Sequence, residues 1–296
     1  MWWIILAAVL VIIAAALLRS RWERGALKIK EYEIASRKIP EEFDGKKLVF
    51  LTDLHNRRFG EGNRLLSEMV LQEEPAAVLI GGDMMTVKPW LPPDFTALQE
   101  LLDALDDRVP VFYADGNHEE RMRVRKDVYP GWEEAFRELL SSYRLTYLQD
   151  EHFRLIRGKS YISLYAYSFS ADEYRKFSLP PLSAKKITEK IGKPEGFSLV
   201  LAHTPHYFKS FSDWGADLVL SGHNHGGTIR LPFLGGVMTP QFFFFSRYAY
   251  GLVEDGDHKE IISAGLGTHS INIRLFNRPE VVVVRLVRKV DGKEHV

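Results

Sequence analysis

The chain contains no cysteine. That excludes disulfides, a thiolate nucleophile and sulfur metal ligands, so any bound metal must be held by His, Asp, Glu or Asn. An excess of one charge is also missing. Lys and Arg number 39, Asp and Glu also 39, and the formal net charge is +0. Without a global basic field, no nucleic-acid partner is expected. No internal repeat is visible, and low complexity is confined to Phe242 to Phe245. Charge is absent altogether from Met1 to Leu18, which is almost wholly apolar.

That uncharged run matches the roughly 17–25 residues a helix needs to cross a bilayer. Arg19, Arg21 and Arg24 follow it, with Lys28 and Lys30 beyond. A cleaved signal peptide is the rival reading, and Ala14-Ala15-Ala16 would supply its small residues. The absence of Lys or Arg ahead of the run opposes it. The positive flank predicts a single-pass membrane protein with its main domain on the cytoplasmic face. The expected organisation is an anchor over 1–20, a juxtamembrane connector and first strand over 21–44, a main domain over 45–290 and a tail over 291–296.

The main domain reads as layered α/β. With 46% hydrophobic residues the chain can fill one large core or two small ones. Apolar runs at Lys47 to Leu51 and Ala76 to Ile80 read as buried strands. Between them, Asn63 to Leu71 has helical spacing, which makes a βαβ unit with a parallel pair. Asp94 is placed to cap a helix with Phe95, Leu98, Leu101, Leu102 and Leu105 on one face. Val109 to Ala114 is a third strand, and Gly131 to Ser142 another helix. From Leu145 to Ser168 the period changes to two, with a hairpin turn at Gly158-Lys159. Residues 169–195 read as loop with one helix. Strands follow at Phe197 to Leu201, Leu218 to Leu220, Ile261 to Ser263 and Val281 to Val284.

Five of these runs end in chemistry: Asp53-x-His55, Gly82-Asp83, Gly116-Asn117-His118-Glu119, His203 and Gly222-His223-x-His225. Carboxyl ends of parallel strands gather along one edge, so these side chains can meet although they are far apart in sequence. Oxygen and imidazole ligands in that number suit two divalent ions of the Mn, Fe, Zn or Mg kind. Asp53, His55 and His225 would hold one ion. Asn117, His203 and His223 would hold the other, with Asp83 bridging. Such a centre attracts a phosphate ester and acidifies a water between the ions. His118 is not needed as a ligand. It is the natural general acid for the leaving oxygen, or a second stabiliser of developing charge.

In order and content, these blocks resemble the motif of the calcineurin-like metallophosphoesterases. The resemblance implies a β-sandwich flanked by helices, a dinuclear centre and hydrolysis of phosphomonoesters, phosphodiesters or pyrophosphates. The N-terminal anchor, Leu231-Pro232 and Gly235-Gly236 are similar to the membrane-associated bacterial branch of phosphodiesterases and UDP-2,3-diacylglucosamine pyrophosphatases, which implies a diester or a lipid-linked pyrophosphate such as UDP-2,3-diacylglucosamine as substrate. A phosphodiesterase or phosphatase acting on soluble nucleotides, and a non-catalytic metal-bound scaffold, are the alternatives. One departure stands out. Protein phosphatases of this superfamily extend the second block to Gly-Asp-x-x-Asp-Arg-Gly, whereas Met84-Met85-Thr86-Val87 follows Asp83 here. His118 must then be oriented by another group, with Asp115, Glu119 or a backbone carbonyl expected.

Further residues invite a supporting role. Arg57 and Arg58 follow the first block and match phosphate geometry, but also suit a solvated loop. His206 and His269 are candidates for the pocket edge. The basic run Arg121, Arg123, Arg125 and Lys126 is either a solvated face or a surface for anionic headgroups. Phe242 to Phe245 with Tyr248 and Tyr250 is either loop packing or an apolar lip near the bilayer.

Overall fold

Alternation along each central strand divides its side chains between two cores, because successive residues point to opposite faces. Leu48 and Phe50 face one core while Val49 and Leu51 face another, and all four are buried. Strands buried on both faces must be apolar throughout, which is why they read as continuous runs.

The computed structural model describes residues 1–231, 233–268 and 272–290. The chain begins with α1 (Trp2–Gly25), β1 (Lys28–Ser36), β2 (Lys47–Leu51), α2 (Arg64–Gln72), β3 (Ala77–Ile80), α3 (Thr96–Leu105) and β4 (Val111–Ala114). It continues through α4 (Asn117–Val124), α5 (Trp132–Ser141), β5 (Leu145–Leu148), β6 (Glu151–Arg157), β7 (Ser160–Tyr167), α6 (Ala184–Ile191) and β8 (Ser198–Ala202). Then come α7 (Phe208–Trp214), β9 (Leu218–Ser221), β10 (Arg230–Leu231), β11 (Gly235–Gly236), β12 (Gly251–Asp255), β13 (His258–Ile262) and β14 (Glu280–Arg288).

Two six-stranded sheets form a sandwich. The first has the order β1-β14-β2-β3-β4-β5, the second β12-β13-β9-β8-β7-β6. In the first, β2 through β5 run parallel; in the second, β7, β8, β9 and β13 do. The inter-sheet core takes Leu48, Phe50 and Leu79 from one sheet and Leu164, Leu199 and Leu220 from the other. The outer face of the first sheet is covered by α2, α3 and α5, through Leu66, Leu101 and Phe136 among others. The second is covered by α6 and α7, through Ile187 and Phe211.

Several elements differ from expectation. Helices α4 and α7 and strand β12 were not anticipated, because each is short and its apolar pattern is broken. Helix α3 starts at Thr96, with Phe95 at the cap position; Asp94 still caps it from one residue earlier, its carboxylate accepting the Thr96 N–H at 3.0 Å. The N-terminal helix is long and apolar enough to cross a membrane, and it runs on to Gly25. Strand β1 pairs in register with β14, from Lys28 opposite Glu280 to Ser36 opposite Arg288, and Phe43 lies in the inter-sheet core. The stretch 21–44 is thus built into helix and sheet. The tail 291–296 lies outside the described residues.

Candidate metal centre

The five blocks follow β2, β3, β4, β8 and β9. Three of these strands belong to one sheet and two to the other. The cluster therefore forms where the carboxyl ends of both sheets meet. Asp53, His55, Asp83, Asn117, His118, His203, His223 and His225 are all buried.

The turns carrying them are tight. Asp53, His55, Asp83, His223 and His225 all have positive φ, between 46° and 63°. Such angles are costly for residues with a side chain and persist where surrounding bonds over-determine them. Those bonds are present. Asp53 N–H donates to the Gly82 carbonyl at 3.0 Å, and His55 N–H to that of Asp83 at 3.1 Å. Gly222 N–H donates to the carbonyl of His203 at 2.9 Å. Glycine is required where blocks touch: a Cβ on Gly222 would overlap the Asp53 carboxylate, and one on Gly82 the backbone of Gly116.

Each aspartate holds another block, Asp53 with both oxygens since the His223 N–H also reaches its Oδ1 at 3.2 Å. Asp83 Oδ1 accepts the His118 N–H at 2.8 Å, and Asp53 Oδ2 the His223 N–H at 3.0 Å. Their other oxygens look inward. Asp53 Oδ1 lies 3.4 Å from His225 Nε2 and 3.8 Å from His55 Nε2. Asp83 Oδ2 lies 3.7 Å from His55 Nε2 and 3.3 Å from His203 Nε2. The potential ligand atoms of Asp53, His55 and His225 form one tight group, those of Asp83, His203 and His223 another, and those of His55, Asp83 and His118 a third between them.

The donor set fits divalent cations. His203 Nδ1 donates to the Gly81 carbonyl at 2.7 Å, which directs the lone pair of Nε2 inward. His55 Nε2 and His225 Nε2 converge to 3.3 Å. The Asn117 side-chain oxygen sits 2.8 Å from His223 Nδ1 and 3.2 Å from Asp83 Oδ2. Turning the amide would aim its N–H at both; the oxygen-first orientation is the one that suits a cation.

Charge is concentrated here. Burial opposes a charge on His203, but the carboxylates of Asp83 and Asp53 outweigh it and push its pKa up to about 10. Burial also acts against ionised Asp83, yet His203, His118 and His55 hold it well below the usual carboxylate range. Burial, reinforced by Asp83, raises Asp53 to about 6.

His118 opens α4 and is fully buried. Its Nδ1 accepts the backbone N–H of Val87 at 2.7 Å. Both expected carboxylates hold other groups. Asp115 binds Arg123, Tyr147 and, at 2.8 Å, Gln149. Glu119 accepts the N–H groups of Asp83 and Gly116, both at 2.9 Å, and the Tyr113 hydroxyl at 2.6 Å. It thereby ties the second block to the third.

The cavity over the cluster, about 140 Å³, is lined by Asp83, Asn117, Arg121, Tyr174, Lys176, His223, His225, Pro240 and Gln241. Arg57 and Arg58 do not line it. Arg58 pairs with Glu100 at 2.6 Å, and Arg57 lies over Phe59. His206 packs beside Phe243 and Tyr248 and lies 3.5 Å from Asn224; burial lowers its pKa to about 4. His269 and Pro232 lie outside the described residues. Sequence reasoning missed Tyr174 and Lys176, which sit in a polar loop without periodicity. It weighed Arg121 only as part of a basic run.

The model of the family described as "Calcineurin-like phosphoesterase" matches residues 46–227. Among curated proteins, Phosphodiesterase YaeI of Escherichia coli is 29% identical over 244 residues, spanning 81% of this chain and 82% of that one. A Danio rerio "Transmembrane protein with metallophosphoesterase domain" is 28% identical over 268 residues, 88% of this chain and 57% of its own length. An uncharacterized metallophosphoesterase of Helicobacter pylori is 31% identical over 271 residues, 88% of this chain and 64% of that one.

Proposed function

The chain belongs to the calcineurin-like phosphoesterase family and is a metal-dependent phosphoesterase, and from that premise we propose a membrane-anchored hydrolase that cleaves a phosphodiester or pyrophosphate bond with two divalent ions. Asp53, His55 and His225 would hold one ion and Asn117, His203 and His223 the other, with Asp83 available to both. The observation that carries this is Asp83 Oδ2, which faces His55 of one set at 3.7 Å and His203 of the other at 3.3 Å. When bound, such ions polarise phosphoryl oxygens and make a water acidic enough to attack phosphorus.

The side chains do the rest. Because Val87 occupies Nδ1 of His118, the neutral ring carries its proton on Nε2. That N–H donates to an oxygen gaining charge at phosphorus, either the leaving oxygen or a non-bridging one. Arg121 and Lys176 at the cavity wall offset the charge of the substrate phosphate.

A substrate with a lipid portion is the preferred version. Phe177 stacks on Phe242 with ring centroids 5.2 Å apart, next to Lys176, and Phe177, Phe244 and Phe245 are exposed. An apolar rim beside a charged cavity suits a headgroup phosphate with acyl chains attached. The apolar helix α1 would anchor the chain, residues 1–20 spanning the bilayer. Its basic flank Arg19, Arg21 and Arg24 favours the cytoplasmic face for the catalytic domain, residues 45–290.

The test uses the full chain in detergent, stripped of metal and reloaded with Mn²⁺. Bis-p-nitrophenyl phosphate is compared with p-nitrophenyl phosphate, and a lipid pyrophosphate in mixed micelles with a soluble nucleotide diester. Metal-dependent diester cleavage that drops at least about 100-fold in Asp83→Asn is expected. Monoester preference would replace the diesterase by a phosphatase. Preference for the soluble diester would remove the lipid. A chain that binds no Mn²⁺ would sink the metal reading.

A further inference from the structure

The buried side chains of α1 are Ser20 and Glu23, both in its last turns. Glu23 is fully buried. Removing a carboxylate from water costs several kcal/mol unless hydrogen bonds and a counter-charge offset it. A helix that only tethers a domain needs no such group, since apolar residues and a basic flank suffice.

The partners of these residues explain their presence. Ser20 Oγ accepts the Arg274 N–H at 3.1 Å. Glu23 Oε2 accepts the Asn277 N–H at 2.9 Å, and its Oε1 the Arg19 Nε–H at 2.6 Å. Arg278 donates to the carbonyls of Ala26 and Leu27 at 2.7 and 2.9 Å. The end of α1 is thereby clamped to the segment 274–278.

That segment reaches the metal centre on its other side, by two routes. Asn277 Nδ2 donates to the carbonyls of His225 and Thr228 at 2.6 and 3.2 Å. Arg274, buried, donates to the carbonyls of Ala264 and Gly265 at 2.8 and 3.0 Å and to that of Gly267. Gly267 N–H in turn donates to the Asp53 carbonyl at 2.6 Å. Both routes end on the same pair, since Asp53 Oδ1 faces His225 Nε2 at 3.4 Å. Both ends are backbone positions at positive φ, 55° for Asp53 and 46° for His225, which relax unless held from outside.

We propose that the last two turns of α1 are part of the metal centre: Ser20 and Glu23 are positioning residues that act through Arg274 and Asn277 to set the spacing of Asp53 and His225. The inference rests on the two-ion reading above. It assigns α1 a second task besides membrane attachment, and it implies that a chain cut after residue 25 loses one ion site and keeps the other.

The test measures Mn²⁺ binding by calorimetry on the full chain in detergent. The variants are Glu23→Ala, Glu23→Gln, Asn277→Ala and the Glu23→Ala/Asn277→Ala pair, with exposed Arg21→Ala as the control. In Glu23→Ala one ion should bind roughly tenfold more weakly or worse, the scale for groups that orient ligands; the other ion should be unaffected. Glu23→Gln keeps an acceptor for the Asn277 N–H and should recover much of the loss. The double variant should be no worse than Asn277→Ala alone, because both act on one route. Parent affinity for both ions in Glu23→Ala would overturn the proposal. So would an equal weakening of both ions with a lowered melting temperature, the mark of general destabilisation. A parent chain that binds fewer than two Mn²⁺ would instead overturn the two-ion reading, and this inference with it.

Discussion

Nδ1 of His118 accepts the backbone N–H of Val87 at 2.7 Å. A ring nitrogen that accepts carries no proton, so the neutral tautomer presents Nε2–H towards the cluster, 4.0 Å from Asp83 Oδ2. Of the two roles open to His118, donor to a developing charge matches this tautomer directly. Replacing His118 by Ala should lower kcat for a diester by about 10²–10³ while leaving two Mn²⁺ bound. His118→Gln, which retains an N–H donor, should fall between Ala and the parent. Steady-state kinetics with metal analysis on the same samples checks this, and loss of bound metal in His118→Ala would make His118 a ligand instead.

Glu119 should matter for stability more than its surface-like residue type suggests. Its carboxylate accepts the N–H groups of Asp83, Gly116 and Met84 and the Tyr113 hydroxyl. A buried donor left unsatisfied costs about 1–3 kcal/mol. Glu119→Ala should therefore lose roughly 3 kcal/mol or more in urea unfolding, and Tyr113→Phe only about 1 kcal/mol. Equal effects would mean that the backbone donors find other partners.

The metal-free and metal-loaded forms should respond oppositely to pH. In the ion-free centre His203 titrates at about 10, above its ordinary 6.5. A raised histidine pKa contributes stability that is present below 6.5 and is lost as pH rises towards 10. The melting temperature of the stripped chain should thus fall across that window. Ion binding needs the Nε2 lone pair, so Mn²⁺ must displace a proton, and its affinity should weaken as pH drops. Calorimetry in buffers of different ionisation enthalpy at pH 7 should show net proton release on binding. Zero release would contradict the charged His203.

Glu260 tests burial of a carboxyl group that is not among the candidate ligands. It is fully buried in β13, bonded to Ser221 Oγ at 2.7 Å. Burial pushes its pKa well above the usual carboxylate range, against smaller opposing effects of Ser221 and Arg247. The folded chain holds this proton after the unfolded chain has released it, so stability falls as pH rises above the ordinary Glu value. Glu260→Gln should remove that slope. The variant should gain on the parent by roughly 1 kcal/mol or more between pH 5 and pH 8. Parallel pH curves would show that Glu260 ionises freely in the fold.

The central strands were legible because burial on both faces demands unbroken apolar runs, which stand out against charged helices and loops. Helix α4 was not. It begins at Asn117 and is polar and charged along Asn117 to Arg121, and Met122 is the one apolar residue it buries. Among the clustered residues, His55 and His225 could be named as candidate ligands from type and spacing. Lys176 and Tyr174 could not, because a loop residue reaches a cavity only through the path of the whole loop. Arg57 and Arg58 show the converse: adjacency to Asp53 left a phosphate contact and a solvated loop equally open, and the backbone turns at His55 and Asn56, both at positive φ, take Arg58 to Glu100.

By itself the sequence determined the chemistry available: no thiolate, seven candidate oxygen and imidazole ligands in five ordered blocks, one further histidine beside them, and an apolar N-terminal run. These follow from residue type, which carries ligand softness, charge and hydropathy wherever the chain goes. Only the tertiary structure decided which groups meet. The joining of two sheets at their carboxyl ends, the Val87 amide on His118 and the clamp from Glu23 through Asn277 to His225 are contacts between residues distant in sequence. No local spacing encodes them, because packing of both sheets against one shared core sets them.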